Sequence, residues 1–146
     1  MAFDLAASRA VLDLPEDEVR HKLGGPGGET EANVRYEGLD GVTMYYNPAV
    51  LPARVYVRDG RVQMVYVPSG SALDGLTPAD LERQLVSKGI RLRSRAGKRF
   101  GHHVFAEDGV AYSSDRHGVR FVEVFPPRSH EAYVSEIYRE PGRFIR

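Results

Sequence analysis

The side chains best suited to chemistry gather between Ile90 and Gly118. Arg91, Arg93, Arg95, Lys98 and Arg99 form a basic run that no acidic residue interrupts before His103. On an extended segment, alternating Arg91, Arg93 and Arg95 would present guanidinium groups on one side, a pattern suited to phosphates or to an acidic protein surface. Phe100 adds a ring on which a single-stranded base could stack. This run carries the alternative reading of the chain, as a nucleic-acid or phosphate-binding protein.

Beyond it, His102 and His103 lie near Glu107, Asp108, Asp115 and His117, which supplies imidazole and carboxylate for an acid–base or metal site. A hydrolase built on residues 102–117 is the third reading. Adjacent strand residues point to opposite faces, so His102 and His103 do not converge on one ion. Asp108-Gly109 and the stretch from Asp115 to Gly118 read as hairpin turns. The glycine stretch Gly24-Gly25-Pro26-Gly27-Gly28 follows a predicted helix, whereas a phosphate cradle precedes one, so it reads as a helix stop. No Gly-x-Ser-x-Gly elbow occurs, and Pro68-Ser69-Gly70-Ser71 reads as a linker. The expectation is a protein that is not an enzyme and needs no metal or cofactor.

The chain has 146 residues, enough for one compact domain over 1–146, and its 42% apolar and 27% charged content is that of a folded globular protein. Twenty basic residues balance twenty acidic ones, so no overall field draws it to nucleic acid or to an anionic membrane. Having no cysteine, it has no disulfide, thiolate nucleophile or cysteine-based zinc site. No apolar run is long enough for a membrane span, and the segment from Met1 to Leu14 lacks the basic start of a signal peptide. A cytoplasmic protein without a membrane partner is expected.

Two halves of the sequence share one pattern. Leu14, Glu18, Val19 and Leu23 align at constant offset with Leu76, Asp80, Leu81 and Leu85, which predicts a helix at the head of each half. Pro15 with three acids opens the first; Thr77, Pro78 and Asp80 form a capping box for the second. Short strands follow in both, punctuated by Asp40-Gly41, Asp59-Gly60 and Asp108-Gly109 as hairpin signals. Val62, Met64, Val65 and Val67 correspond to Val119, Phe121, Val122 and Val124, each set ending at proline. Repeat one spans about 12–68, a linker 69–75, repeat two about 76–127, and a helix capped by Ser129 lies in the tail 128–146. The fold class is α+β: two tandem helix-plus-antiparallel-strand repeats in two layers, with the helices on one face of the sheet.

Two such units, the first with its helix ended by Leu23-Gly24-Gly25-Pro26-Gly27 and then a strand meander, resemble the group of the β-lactamase inhibitor protein and the small outer-membrane assembly lipoproteins. The resemblance covers roughly residues 12–126 and is one of topology. It implies a non-catalytic protein that binds another protein on the open face of its sheet.

Period-two reading puts Val55, Val57, Val65, Val67, Val122 and Val124 toward the core. Arg54, Tyr56 and Arg58 then point outward with Tyr66, Phe121 and Glu123, and Tyr45 and Tyr112 could extend the patch. Tyrosine and arginine combine large contact area with a polar end, so this row is the expected contact surface for a partner protein. The function expected is a protein-binding module of inhibitor or immunity type.

Overall fold

The computed structural model describes residues 2–95, 97 and 99–141, so Lys98 of the basic run lies outside the described residues. Helix α1 (Leu5–Leu12) starts where the Asp4 carboxylate accepts a hydrogen bond from the Ala7 N–H at 3.1 Å. Helix α2 (Glu16–Leu23) carries three acids in its first turn and three basic residues in its last, complementing the helix dipole, and Gly24 follows it. Helix α3 (Pro78–Glu82) has the full capping box of Thr77 and Asp80. Helix α4 (His130–Glu136) is capped by the Ser129 hydroxyl, which accepts from the Ala132 N–H at 3.1 Å. None of these helices is long and apolar enough to cross a membrane.

The strands are β1 (Glu29–Tyr36), β2 (Leu39–Tyr46), β3 (Arg54–Arg58), β4 (Arg61–Val67), β5 (Ile90–Arg93), β6 (Gly101–Phe105), β7 (Val110–Asp115) and β8 (Gly118–Val124). They form one antiparallel eight-stranded sheet in the order β1-β2-β3-β4-β8-β7-β6-β5. The chain is therefore α+β, and each half contributes a four-strand meander whose last strand meets its counterpart at the centre. Asp59-Gly60 makes the tight β3–β4 turn with φ of 54° and 76°, as its residue types require. Asp40-Gly41 does not turn the chain but lies inside β2; the reversal is at Glu37-Gly38. There the Gly38 N–H donates to the Ile137 carbonyl, and a Cβ on Gly38 would meet the Glu136 carbonyl oxygen at 2.8 Å, so only glycine allows α4 to approach.

Two cores flank the sheet. On the first face Val55, Val57, Val65, Val67, Val122 and Val124 pack against Leu5 and Val11 of α1, Val19 and Leu23 of α2, and Leu81 of α3. This is the aliphatic row read from the sequence. On the second face Tyr36, Leu39, Val42, Met44, Tyr56, Met64, Val104 and Ala111 pack with Tyr133 of α4 and Ile137 at its C-cap. The expectation that all helices share one face is corrected here, because α4 lies on the opposite side from the other three. The cause is apolar content: the strands carry buried groups on both faces, and a row holding Leu39, Val42, Met44 and Met64 needs its own cover. Nor is the 69–75 stretch a free linker, since Ala72 and Leu73 are buried in the first core.

Candidate functional site

The expected contact row divides between the faces. Tyr45 pairs with Val55 and Tyr112 with Val122, so period two places both on the first face with the valines, beneath helices. The Tyr45 hydroxyl donates to Glu16 of α2 at 2.7 Å, and the Tyr112 hydroxyl donates to Glu82 of α3. Burial, then Glu82, pushes the Tyr112 phenol well above its ordinary range. Arg54, Tyr56, Arg58, Tyr66, Phe121 and Glu123 do share the second face, yet it is not an open one. Tyr56 is 9% exposed, Phe121 4% and Glu123 1%, whereas Arg54, Arg58 and Tyr66 are half-buried. The row is a second core because α4 and the segment after β5 close over it.

At its centre stands Glu123, a buried carboxylate whose acceptors are used by three donors. Tyr36 donates to its Oε2, Tyr133 of α4 donates to Oε1 at 2.5 Å, and the Arg95 guanidinium lies 3.3 Å from Oε2. Arg95 also donates to the Tyr36 oxygen at 3.0 Å and meets Glu37 at 3.1 Å. Its guanidinium sits over the rings of Phe121 at 4.4 Å, Tyr36 at 5.1 Å and Tyr66 at 5.1 Å, an aromatic seat for a cation. Burial alone would weaken the hold of Arg95 on its proton, but Tyr36, Glu123 and Glu37 outweigh that and keep it charged. Burial first, then Glu123, lifts Tyr36 and Tyr133 far above the usual phenol range.

The donors orient His102. Because Tyr133 gives its proton to Glu123, its oxygen can only accept from His102 Nε2, 2.9 Å away. With Nε2 protonated, Nδ1 accepts from the Ser113 hydroxyl at 3.0 Å, and Ser113 in turn accepts from Ser94 at 2.9 Å. In this arrangement every bond has one donor and the imidazole is neutral. Burial lowers the His102 pKa, in agreement. Serine, histidine and carboxylate are thus aligned, but Ser113 is 0% and His102 4% exposed, and the network binds α4 to the sheet.

His103 points the other way and stacks on Tyr112 with ring centroids 4.8 Å apart, as strand alternation requires. The Asp108 carboxylate accepts from the Val86 N–H at 3.1 Å and the Ser87 N–H at 2.9 Å, anchoring the segment after α3. Asp115 accepts from the His117 N–H in the β7–β8 turn and from Arg120 at 2.9 Å. The 102–117 groups are therefore dispersed, and among the described residues no cluster of three or more His, Cys, Asp or Glu is placed to hold a metal ion. The basic run is likewise divided. Arg93 pairs with Glu140 at 3.2 Å, Arg95 turns inward, and Arg91 and Arg99 are exposed.

α4 covers only part of the second face. Beside it a groove of about 580 Å³ is lined by Tyr66, Ser69, Arg95, Phe100, Asp115, Arg120 and Phe121, none of them from α4. Tyr46 and Arg54 stack 5.2 Å apart on the same face, and both are half-buried. Sequence reasoning missed Arg95, Phe100 and Arg120 as parts of one surface. Strand pairing alone could have placed Arg120 near Tyr66, but Arg95 and Phe100 reach it from an irregular segment that no period describes. No protein family, no curated protein and no solved structure matches this chain.

Proposed function

We propose that this chain is a non-catalytic protein-binding module of inhibitor or immunity type, and that it grips its partner on the uncovered part of the second face. The groove beside α4 carries this reading: aromatic rings from Tyr66, Phe100 and Phe121 stand next to the Arg120 guanidinium in a concave surface. Aromatic and arginine side chains held rigid by their neighbours are the usual anchors of protein contacts. Tyr66 and Phe121 are so held, their rings 5.6 Å apart and both against Arg95. Tyr66 and Phe121 of the row expected at the outset line this groove, and Arg54 shares its face; Tyr56 and Glu123 support the surface from beneath.

The two halves are read as tandem repeats, each with a leading helix and a four-strand meander, and α4 as an addition that roofs one end. That architecture supports the likeness to the β-lactamase inhibitor group, in which a sheet face serves as the contact. The nucleic-acid alternative draws less support, because Arg93 and Arg95 already face carboxylates. The cytoplasm is the proposed compartment, on the cysteine-free composition.

A photo-crosslinking amino acid at position 66 tests the reading, with position 86 as control, where Val86 is 96% exposed and no part of the groove lining. One discrete protein adduct from nuclease-treated cells at 66 and none at 86 is expected. Equal labelling at both, or adducts that vanish with nuclease, would overturn it.

A further inference from the structure

The sheet parts at its centre. β4 pairs with β8 only through Val65, Tyr66 and Val67 against Val124, Glu123 and Val122. Beyond Val124 the chain reads Phe125-Pro126-Pro127, and two prolines, lacking N–H groups, cannot continue a ladder. Phe125 instead donates its N–H to the Gly109 carbonyl, on the β7 side. The edge of β4 ahead of Val65 is thus left without a strand neighbour, apart from a single bridge between Arg61 and Pro15. Between that edge and the proline segment opens a cleft of about 830 Å³. It belongs to neither the groove nor the Glu123 network.

The cleft has apolar walls at Leu12, Leu14 and Val62 and cationic groups at Arg9 and Arg61. Arg9 spends one N–H on the Asp108 carbonyl at 3.1 Å, and among the described residues Arg61 meets no carboxylate. Of the other charged groups lining it, Arg128 is held by Glu136 at 2.9 Å, and the Asp108 carboxylate is turned to Val86 and Ser87. Asp108 still acts on Arg9 through their charges, and Asp13 also lines the cleft, so Arg61 is the cation there that meets no carboxylate within ion-pair distance among the described residues.

We propose that this cleft binds an extended acidic peptide segment, which adds to the free edge of β4 and places a carboxylate between Arg9 and Arg61. The unpaired strand edge supplies main-chain hydrogen bonds, the apolar walls take alternate side chains, and the arginines select for negative charge. The backbone donors and acceptors of this edge, which a bulge at Gln63 interrupts, favour a peptide over a simple amphipathic anion, which has nothing to pair with them.

The probe is a fluorescein-labelled pentapeptide of alternating valine and glutamate, followed by fluorescence polarisation on the full chain. Saturable binding is expected, weakened at least about tenfold by lysine in place of glutamate, by N-methylation of the central amides, and by Arg61→Glu. Arg61 is exposed, so thermal unfolding of Arg61→Glu should match the parent; Arg9→Gln provides a second variant if it does not. Arg61→Glu should also leave crosslinking at position 66 unchanged, which separates this cleft from the groove. Absence of saturation, or equal binding of the N-methylated peptide, overturns the proposal. Full displacement by dodecanoate together with indifference to N-methylation would show a small-anion site instead.

Discussion

Replacing Glu123 by glutamine keeps the shape of the most connected side chain on the second face and removes its charge. Glu123 accepts from Tyr36, Tyr133 and Arg95 and is 1% exposed. Glutamine retains one acceptor oxygen, so one tyrosine keeps its bond. The other hydroxyl meets an amide N–H, and two donors face each other with no water to relieve them. Losing a charge-assisted hydrogen bond and stranding a buried donor costs roughly 2 to 4 kcal/mol. The Arg95 contribution must be discounted, because its side chain is 27% exposed and Glu37 also holds it. The expected total is about 3 kcal/mol, which for a chain of this size lowers Tm by about 10 °C. Urea unfolding at neutral pH, followed by circular dichroism because the chain has no tryptophan, measures it. Arg95→Met in the Glu123→Gln background should cost less than Arg95→Met alone, since the two groups share one interaction. A loss below about 1 kcal/mol for Glu123→Gln, or strict additivity with Arg95→Met, would refute the reasoning.

Stability should depend on pH through His102. Its pKa is lowered in the folded state by burial, so the unfolded chain takes up the proton first. The contribution is complete above the unfolded value near 6.5 and is lost as pH falls through it toward the lower folded value, with a slope of up to about 1.4 kcal/mol per pH unit. His103, lowered by burial and by Arg91, adds to the slope; His102→Gln should reduce it, and an unchanged slope would count against the neutral imidazole. Alkaline titration monitored at 295 nm should show Tyr36 and Tyr133 ionising only as the protein unfolds, because burial and Glu123 hold both phenols protonated. Leu81→Ala, at the 0% exposed position of α3, should cost about 2 to 5 kcal/mol, against about 1 for Thr77→Ala, which removes only the cap; comparable losses would contradict the assignment of α3 to the first core.

The sequence made the first face legible because valines at alternate positions leave one choice of core. The starts of α2 and α3 were marked by Pro15, Thr77 and Asp80, and the cap of α4 by Ser129. Helix α1 and strand β1 were not assigned, and β5 and β6 were read only as extended stretches around Arg91 to Arg95 and His102-His103, without bounds. Asp4 is a sufficient N-cap for α1 on inspection, but β1 reads as polar because most of its side chains are exposed. The second face misled for a physical reason: tyrosine, arginine and glutamate suggest solvent when taken singly, yet they become a core once each hydroxyl and charge has a partner. That partnering is long-range. Glu123 finds Tyr36 across the sheet and Tyr133 on a helix beyond β8, and no local period encodes either contact.

The central claim is that the rings beside Arg120 anchor a partner protein. Once the adduct at position 66 has identified that partner, titration calorimetry of the parent chain and of a Tyr66→Ala, Phe100→Ala variant tests the claim directly. An affinity loss of at least about tenfold, with both chains folded at the measuring temperature, is the predicted result. Unchanged affinity in a folded variant would contradict it.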